Sequence, residues 1–300
     1  MKRILNNGNL KIQKKGVIVM EKSVPEITLN DGVTVPVIGL GTYKLKGNQG
    51  VKAIQHAIDQ VGYRLLDSAY NYENEGTLGE AVRRSSVSRD ELRITSKLPG
   101  RYHSYDLAVT TIEESLYRAN LDYYDLYLVH WPNPIQNQYI EAWQALIDAK
   151  KNGLIRSIGV CNFLPEHIER LVHETGVEPS INQIELHPFF NQASQREWHE
   201  QNQIYTQSWS PLARANDVLQ NYVIQQIANN HNKTVSQVIL RWHYQLGAIS
   251  IPKSASPDRQ LENISIFDFS LTQEEMNSIS QLTKPNGRIN NQDPAVYEEF

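Results

Sequence analysis

The feature that most limits what this chain can fold into is a repeated alternation of short apolar runs with longer amphipathic stretches. Eight short runs rich in β-branched or other apolar residues recur along the chain. Segments of helical periodicity separate them, and this alternation predicts βα units around a parallel sheet. The predicted strands are residues 37–40, 64–67, 93–96, 125–130, 155–160, 181–185, 204–209 and 248–251.

Eight βα repeats in one chain favour a closed barrel over an open sheet. The main amphipathic stretches are residues 50–61, 77–85, 106–119, 139–151, 165–175 and 218–231. The alternative is a doubly wound sheet, whose first turn often carries the pattern G-x-G-x-x-G. Here the first strand leads into Gly39-Leu-Gly41-Thr-Tyr-Lys, which lacks the third glycine, so this fingerprint fails.

A hairpin precedes the predicted barrel. Residues 27–35 alternate apolar with polar side chains on both sides of Asp31-Gly32, a strong signal for a tight β-turn. The predicted fold class is therefore α/β, a (β/α)8 TIM barrel with an N-terminal β-hairpin. We expect one domain over residues 23–300, with residues 1–22 as a disordered tail.

Charge and cysteine content exclude several classes of function. The 29 basic and 33 acidic side chains are interspersed and give a net charge of -4, so no nucleic-acid partner is expected. No apolar run approaches the roughly 20 residues that a membrane helix needs. Cys161 is the single cysteine, which rules out an intrachain disulfide and fits a reducing compartment. We expect a cytoplasmic monomer without membrane attachment.

Four polar residues lie at or just beyond three neighbouring predicted strands, where the active sites of such barrels are found. They are Asp67, Tyr72, Lys97 and His130. Singly, Asp67 could cap a turn, Lys97 could extend its ammonium to solvent, and His130 could be a hydrogen-bonded core residue. Their convergence on one rim is the more informative observation.

Together these residue types suit proton donation to a carbonyl oxygen as hydride reaches the carbonyl carbon. A phenol normally has a pKa near 10, and an ammonium such as Lys97 should lower that of Tyr72. A carboxylate such as Asp67 would keep the lysine charged and oriented. His130 could hydrogen-bond the substrate carbonyl and set its angle.

Longer motifs at these positions resemble the aldo-keto reductase family. They include Asp67-Ser-Ala-Tyr-Asn-Tyr72-Glu-Asn-Glu75, Leu128-Val-His130-Trp-Pro132, Asn182-Gln-Ile-Glu-Leu-His-Pro188 and Ile251-Pro-Lys-Ser254. The similarity runs in order over about residues 26–295. Through Lys97-Leu-Pro-Gly-Arg-Tyr-His103, the chain looks most similar to prokaryotic diketogluconate and glyoxal reductases.

The resemblance implies an NADPH cofactor, with Tyr72 as general acid, Lys97 and Asp67 as its tuning pair and His130 as the orienting residue. Its nicotinamide site would include Trp209 as the stacking ring. Cys161 stands where the family usually has serine, and a thiol is a weaker donor than a hydroxyl. The full implied set at this end of the cofactor is Cys161, Asn162, Gln183, Trp209, Ser210 and Leu212.

For the adenosine end, the resemblance points to Lys253, Ser254 and Arg259 around the 2′-phosphate, with Glu262 and Asn263 near the adenine. The chemistry agrees, because barrels often hold phosphate after the last strands and arginine can grip it with two hydrogen bonds. A nearby arginine also favours NADPH over NADH.

The substrate pocket is expected to be walled by Tyr43 and Trp131, beside His130, with Tyr102 or His103 as further candidates. The substrate would be a small carbonyl, dicarbonyl or keto-sugar compound. No H-E-x-x-H or similar spacing appears among the nine histidines, so no metal is expected.

Two other classes of function remain open. A Schiff-base aldolase would use Lys97 as its nucleophile, although that lysine must lose its charge and Asp67 would oppose the loss. A regulatory subunit with a reductase-like fold could bind nucleotide without catalysis, because fold alone does not fix function.

Overall fold

Eight parallel strands stand side by side in chain order in the computed structural model, which describes residues 24–215 and 217–300. The predicted tail, residues 1–22, lies outside the described residues. An antiparallel hairpin comes first, formed by β1 (Glu26–Thr28) and β2 (Thr34–Pro36). The parallel strands are β3 (Leu40–Gly41), β4 (Leu65–Asp67), β5 (Arg93–Leu98), β6 (Tyr124–Val129), β7 (Ile155–Cys161), β8 (Ile181–Glu185), β9 (Tyr205–Trp209) and β10 (Ile249–Ser250).

The sheet closes on itself through the first and last strands. Parallel bridges join Ile38 to Ser250 and Gly41 to Lys253. The backbone N–H of Gly39 donates to the Ser250 carbonyl at 2.9 Å, which ties the two edges together. Closure leaves no free sheet edge and makes the structure the predicted (β/α)8 barrel with an N-terminal hairpin.

Helices surround the barrel, most of them between successive strands and the last two after β10. They are α1 (Gly47–His56, continued by a π-helical turn at Ala57–Val61), α2 (Glu75–Arg84), α3 (Tyr105–Ala119), α4 (Tyr139–Lys151), α5 (Pro165–Thr175), α6 (Ala193–Gln201), α7 (Tyr222–His231), α8 (Val235–Gln245), α9 (Pro257–Ile264) and α10 (Gln273–Ser280). The predicted stretches at residues 139–151 and 165–175 coincide with α4 and α5.

Four of these helices, α6, α8, α9 and α10, are absent from the predicted stretches. In α6 only His199 is buried, so an apolar face scarcely exists. In α8 six consecutive residues, 238–243, are buried, which hides the period of a half-exposed helix. The start of α8 was nevertheless encoded: Thr234 Oγ1 accepts from the Gln237 N–H at 3.2 Å, and Gln237 Oε1 accepts from the Thr234 N–H at 3.0 Å.

The hairpin covers the amino-terminal end of the barrel. Its Leu29 and Val35 belong to the same apolar cluster as the barrel residues Leu126 and Ile181. Arg93, at the start of β5, donates from Nε to the Thr34 carbonyl at 2.8 Å. Because one end is closed in this way, access to the barrel interior is left to the opposite end, where the strands finish.

Helices α2 and α3 approach so closely that one position in α2 accepts only glycine. A Cβ added at Gly79 would lie 1.7 Å from the Ala119 carbonyl oxygen, at the end of α3. The same addition at Gly76, also in α2, would approach no atom closer than the Arg118 carbonyl oxygen at 3.2 Å. Close packing therefore predicts very different costs for one methyl group at two sites in the same helix.

We predict that Gly79→Ala destabilises the protein by about 1–3 kcal/mol, the usual cost of overpacking, or by more if the helices cannot separate. Gly76→Ala should change stability by less than about 1 kcal/mol, since alanine favours helix. Urea unfolding followed by circular dichroism would compare the midpoints. Equal midpoints for the two variants would contradict the described helix contact.

Candidate active site

The four predicted catalytic residues meet at the open end of the barrel. Asp67 is the last residue of β4, and Lys97 lies one residue before the end of β5. His130 follows β6 directly, and Tyr72 ends a 3-10 turn that begins three residues after β4. Since the carboxyl ends of neighbouring parallel strands share one rim, these four side chains face a common space.

A buried ion pair between Lys97 and Asp67 forms the floor of this space. Lys97 Nζ lies 2.6 Å from Asp67 Oδ1 and donates to the Ser68 carbonyl, also at 2.6 Å. Neither side chain is more than 2% exposed. Burial by itself lowers the pKa of Lys97, but the charge and hydrogen bond of Asp67, together with Tyr72 and Cys161, outweigh burial, and the pKa of the lysine is raised. Lys97 is therefore an ammonium at neutral pH.

Tyr72 lies above this pair at the mouth of the barrel. Lys97 Nζ is 5.1 Å from the centre of the Tyr72 ring, and the His130 ring centre is 6.1 Å away. Burial raises the pKa of Tyr72 to about 12, against the lowering effect of the Lys97 charge. The sequence anticipated the direction of the lysine's effect but not that burial would exceed it. The phenol is therefore protonated at neutral pH and able to donate.

His130 is half-buried and has its ring nitrogen Nδ1 against a carboxylate. Oε1 of Glu299, the penultimate residue of the chain, lies 2.7 Å from His130 Nδ1. On the backbone side, Asn162 Nδ2 donates to the His130 carbonyl at 3.1 Å. Sequence reasoning did not single out Glu299, because no periodicity or motif places the chain terminus beside the strand ends.

The residues assigned to the nicotinamide form a hydrogen-bonded layer around the same floor. Gln183 Nε2 donates to Asp67 Oδ2 at 2.8 Å and to Gln207 Oε1 at 2.7 Å, which leaves the Gln183 oxygen as its remaining polar atom. Trp209 Nε1 donates to Asn162 Oδ1 at 2.7 Å, so the indole and this amide are fixed together. Gln207, a fully buried polar residue in the middle of β9, was also missed.

Unlike the polar residues of the nicotinamide layer, Cys161 lies among apolar side chains. Its side chain is fully buried in the apolar cluster inside the barrel, which also contains Leu126 and Ile181. Burial raises the pKa of the Cys161 thiol well above its ordinary value, and the charge of Lys97 only partly offsets this. The thiol is thus neutral and enclosed.

Ser210 and Leu212 begin the segment that leaves β9. Ser210 adopts a left-handed backbone conformation with φ 48°, and its carbonyl accepts from the Ala213 N–H at 2.8 Å. Leu212 is partly buried against the apolar clusters outside the sheet. Both residues therefore border the open end of the barrel next to Trp209.

The residues assigned to the adenosine end follow β10 and enter α9. Lys253 and Arg259 are exposed, and Ser254 Oγ accepts from the Ser256 N–H at 3.1 Å. No ion pair within the described part of the chain involves either of the two cations. Glu262 Oε1 accepts from Thr234 Oγ1 at 2.7 Å, and Asn263 is buried.

The substrate-wall candidates differ in their access to the cleft. Tyr43 is 49% exposed and its ring centre lies 5.0 Å from that of Tyr72. Trp131 is buried against Tyr297, with ring centres 4.4 Å apart. Tyr102 is partly exposed, in contact with the Tyr70 ring. His103 is fully buried, and burial lowers its pKa to about 4, so it is neutral.

Over residues 24–215 and 217–300, no cluster of three or more His, Cys, Asp or Glu side chains is arranged to hold a metal ion. Within that same part of the chain, no helix has both the length and the apolar character needed to cross a membrane.

A closed (β/α)8 barrel whose carboxyl rim carries converging ionisable side chains is the framework of a barrel enzyme. The family model for the aldo/keto reductase family matches residues 37–284. The chain therefore belongs to the aldo/keto reductase family and is an oxidoreductase.

The chain is similar to reductases and to solved aldo-keto reductase structures over most of its length. The chain is 50% identical to 2,5-diketo-D-gluconic acid reductase B of a Corynebacterium species, over 93% of this chain and 99% of the relative. It is 44% identical to methylglyoxal reductase DkgA of Escherichia coli (strain K12), over 85% and 92%. A mutant of Gox0644 solved with NADPH superimposes with a TM-score of 0.87 at 40% identity, covering 92% of this chain and 100% of that one.

We predict that Cys161 in the native protein reacts with a thiol reagent at least about 100-fold more slowly than it does in the urea-unfolded chain, because its thiol is buried and neutral. As the single cysteine, it gives an unambiguous signal in absorbance-detected labelling. The rate should stay low with and without NADPH. Rapid native labelling would show that the barrel interior is open to solvent at this point.

Proposed function

We propose that this chain catalyses the NADPH-dependent reduction of aldehydes and ketones to alcohols, with Tyr72 as the general acid. The observation that carries the proposal is the buried Lys97–Asp67 pair beneath a protonated phenol at the open end of the barrel. The names of the relatives support the reaction class, since one is a diketogluconic acid reductase and another a methylglyoxal reductase. The NADPH complex of the Gox0644 mutant supports the cofactor.

The residues present fit NADPH at both ends. Lys253 and Arg259 are exposed cations without an ion-pair partner among the described residues, which suits an additional phosphate. At the other end, the amide nitrogen of Gln183 is committed to Asp67 and Gln207, so its oxygen can accept from a carboxamide N–H. When bound, NADPH supplies the hydride that reaches the carbonyl carbon.

The chain's own residues then manage the proton at the carbonyl oxygen. The Tyr72 O–H donates its proton to that oxygen as the carbon accepts hydride, and the C=O bond becomes C–OH. The phenolate left behind is stabilised by the Lys97 ammonium, which Asp67 keeps charged and in place. His130 hydrogen-bonds the same oxygen and sets its angle. The phenol regains its proton from solvent.

The two alternatives are disfavoured on different grounds. A Schiff-base aldolase needs Lys97 to be a free amine, whereas the ion pair with Asp67 raises the pKa of Lys97 and holds it as an ammonium. A purely regulatory subunit does not require Tyr72 above the buried Lys97–Asp67 pair, and this chain has all three residues. Turnover of NADPH with a carbonyl compound would decide against both.

For the substrate, we propose small dicarbonyl compounds or keto sugars. Tyr43 and Tyr72 form an aromatic edge at the mouth, and Trp131 is held by Tyr297 on the far side. Aromatic walls with few polar groups suit compact carbonyl compounds. A panel of methylglyoxal, 2,5-diketogluconate and simple aldehydes, read by NADPH absorbance, would rank them.

We further propose that the enzyme acts as a cytoplasmic monomer. The four catalytic candidates all come from one barrel, so a second subunit is not needed to complete the site. The single, buried cysteine is compatible with a reducing compartment. Size-exclusion chromatography with light scattering would give the oligomeric state.

We predict that Tyr72→Phe lowers kcat by at least about 100-fold, because general acid catalysis typically contributes 100-fold to 10,000-fold. NADPH affinity, measured by fluorescence titration, should scarcely change. Tyr70→Phe is the matched control, because it also removes one hydroxyl from this turn. The Tyr70 hydroxyl accepts from Arg118 Nη2 and does not face the catalytic space. Near-parental activity of Tyr72→Phe would refute the proton-donor role.

A second prediction concerns cofactor choice. Arg259→Ala should weaken NADPH binding about tenfold or more, because a charge-assisted hydrogen bond to phosphate contributes roughly 1.5–3 kcal/mol. NADH lacks the 2′-phosphate, so its affinity should be nearly unchanged and serves as the internal control. Parallel titrations of both nucleotides test this. Equal losses for the two would remove the 2′-phosphate assignment.

A further inference from the structure

The carboxylate of Glu299 is built into the catalytic end of the barrel although it belongs to the chain terminus. The residue is only 8% exposed, whereas its neighbour Phe300 is 83% exposed. Its Oε1 lies 2.7 Å from Nδ1 of His130, the ring nitrogen on the opposite edge from Nε2. A carboxylate at this place leaves Nε2 free to meet a substrate oxygen.

Donors from three different loops hold Glu299. Asn71 Nδ2 donates to Oε1 at 2.8 Å, and the Gly100 N–H donates to Oε2 at 3.1 Å. The Asn133 side chain fixes the Glu299 backbone, accepting from its N–H at 3.1 Å and donating to its carbonyl at 2.9 Å. These loops follow β4, β5 and β6, at whose carboxyl ends Asp67, Lys97 and His130 also lie.

The space that holds the Asn133 side chain is available because residue 100 is a glycine. A Cβ added at Gly100 would lie 2.2 Å from Asn133 Nδ2, so a larger residue there would displace the amide that clamps Glu299. On the neighbouring stretch of the terminus, Tyr297 packs on Trp131. The seat for the carboxylate is therefore specified by several side chains, rather than by one surface contact.

The electrostatics favour an ionised Glu299. Burial raises the pKa of this carboxyl, but His130 and the donors Gly100 and Asn71 outweigh burial and leave the pKa lowered. The other titratable groups that face His130 are the neutral His103 and the protonated Tyr72. Glu299 is thus the anionic partner of the ring within the described residues.

We propose that Glu299 is a positioning residue for His130: its carboxylate, 2.7 Å from Nδ1, favours a proton on that nitrogen and keeps the ring placed so that Nε2 faces the substrate carbonyl. A neutral imidazole protonated at Nδ1 has no proton on Nε2. Donation from Nε2 therefore requires the doubly protonated ring, and Glu299 is the counter-ion for that form. The inference rests on the proposed carbonyl reduction for the role of His130.

Replacing the carboxylate by an amide breaks this arrangement without changing its shape. Two N–H donors, from Asn71 and Gly100, and the ring nitrogen Nδ1 of His130 converge on the Glu299 carboxylate. A glutamine can accept with one oxygen only, so its NH2 group would face one of these nitrogens. Glu299→Gln should lower kcat/KM by about 10- to 100-fold, as removal of a histidine's orienting partner does in metalloenzymes. NADPH affinity should stay at the parental value.

Glu298→Gln is the matched control for the terminus as a whole. Glu298 Oε1 accepts from the Ile135 N–H at 2.7 Å and makes no contact with His130. This variant should keep parental kcat/KM. A loss equal to that of Glu299→Gln would mean that docking of the terminus, rather than the Glu299 carboxylate, is what matters, and would overturn the proposal.

Chemical rescue separates a charge at this place from mere packing. Glu299→Ala opens room for a small carboxylate, so sodium formate should restore part of the activity, whereas sodium chloride at equal ionic strength should not. Recovery specific to formate supports the proposal. Equal effects of the two salts would overturn it, because a structural role does not depend on which anion is supplied.

The protonation of His130 can be read without any substrate. In long-range 1H–15N spectra of protein with 15N-labelled histidine, the His130 signals, assigned by His130→Asn, should show a proton on Nδ1 in the parent. Glu299→Gln should lose it, and Glu298→Gln should keep it. An unchanged His130 signal in Glu299→Gln refutes this inference alone, whereas a parent protein that reduces no carbonyl compound refutes the proposed function alone.

Discussion

The buried ion pair of Lys97 and Asp67 is the interaction on which the site depends. Moving an ammonium and a carboxylate out of water costs several kcal/mol each unless pairing and hydrogen bonds replace the lost hydration. Here Lys97 gains Asp67 Oδ1 and the Ser68 carbonyl, and Asp67 Oδ2 accepts from Gln183, which also donates to Gln207. The chain of contacts runs over strands β5, β4, β8 and β9, so it can form only in a closed barrel.

The same pair sets the state of the residues above it. For Tyr72, burial opposes ionisation and Lys97 favours it, and the balance leaves a protonated phenol with a cation ready to stabilise its phenolate. His130 is arranged in the opposite sense, with the carboxylate of Glu299 2.7 Å from its Nδ1. Each group that would face the substrate oxygen therefore has a charge of opposite sign behind it. The Lys97 ammonium lies behind the phenolate that Tyr72 would become, and the Glu299 carboxylate lies behind a protonated His130.

The sequence predicts the barrel half of this site well, because local patterns encode it. The prediction for residues 181–185 coincides with β8, and Asp67, Lys97 and His130 are at or beside strand ends as expected. The shortest strands are predicted less well: residues 37–40 were expected, whereas β3 is Leu40–Gly41. There the first strand joins the last through separate bridges, and the extent of such pairing depends on closure of the whole sheet rather than on the local residues.

The opposite wall of the site could not be predicted, for a different physical reason. Glu299 reaches His130 over a separation of 169 positions, and its seat consists of single contacts to Asn71, Gly100 and Asn133. No periodic pattern in the sequence marks these contacts. An exposed glutamate near the terminus could have the same neighbouring residues as Glu299. What distinguishes Glu299 is that its hydrogen-bonding groups are satisfied together. Asn71 and Gly100 donate to the carboxylate, and the Asn133 side chain donates to the Glu299 carbonyl and accepts from its N–H. Satisfying a buried charge in this way requires all the donors at once, so the wall is a property of the assembled barrel.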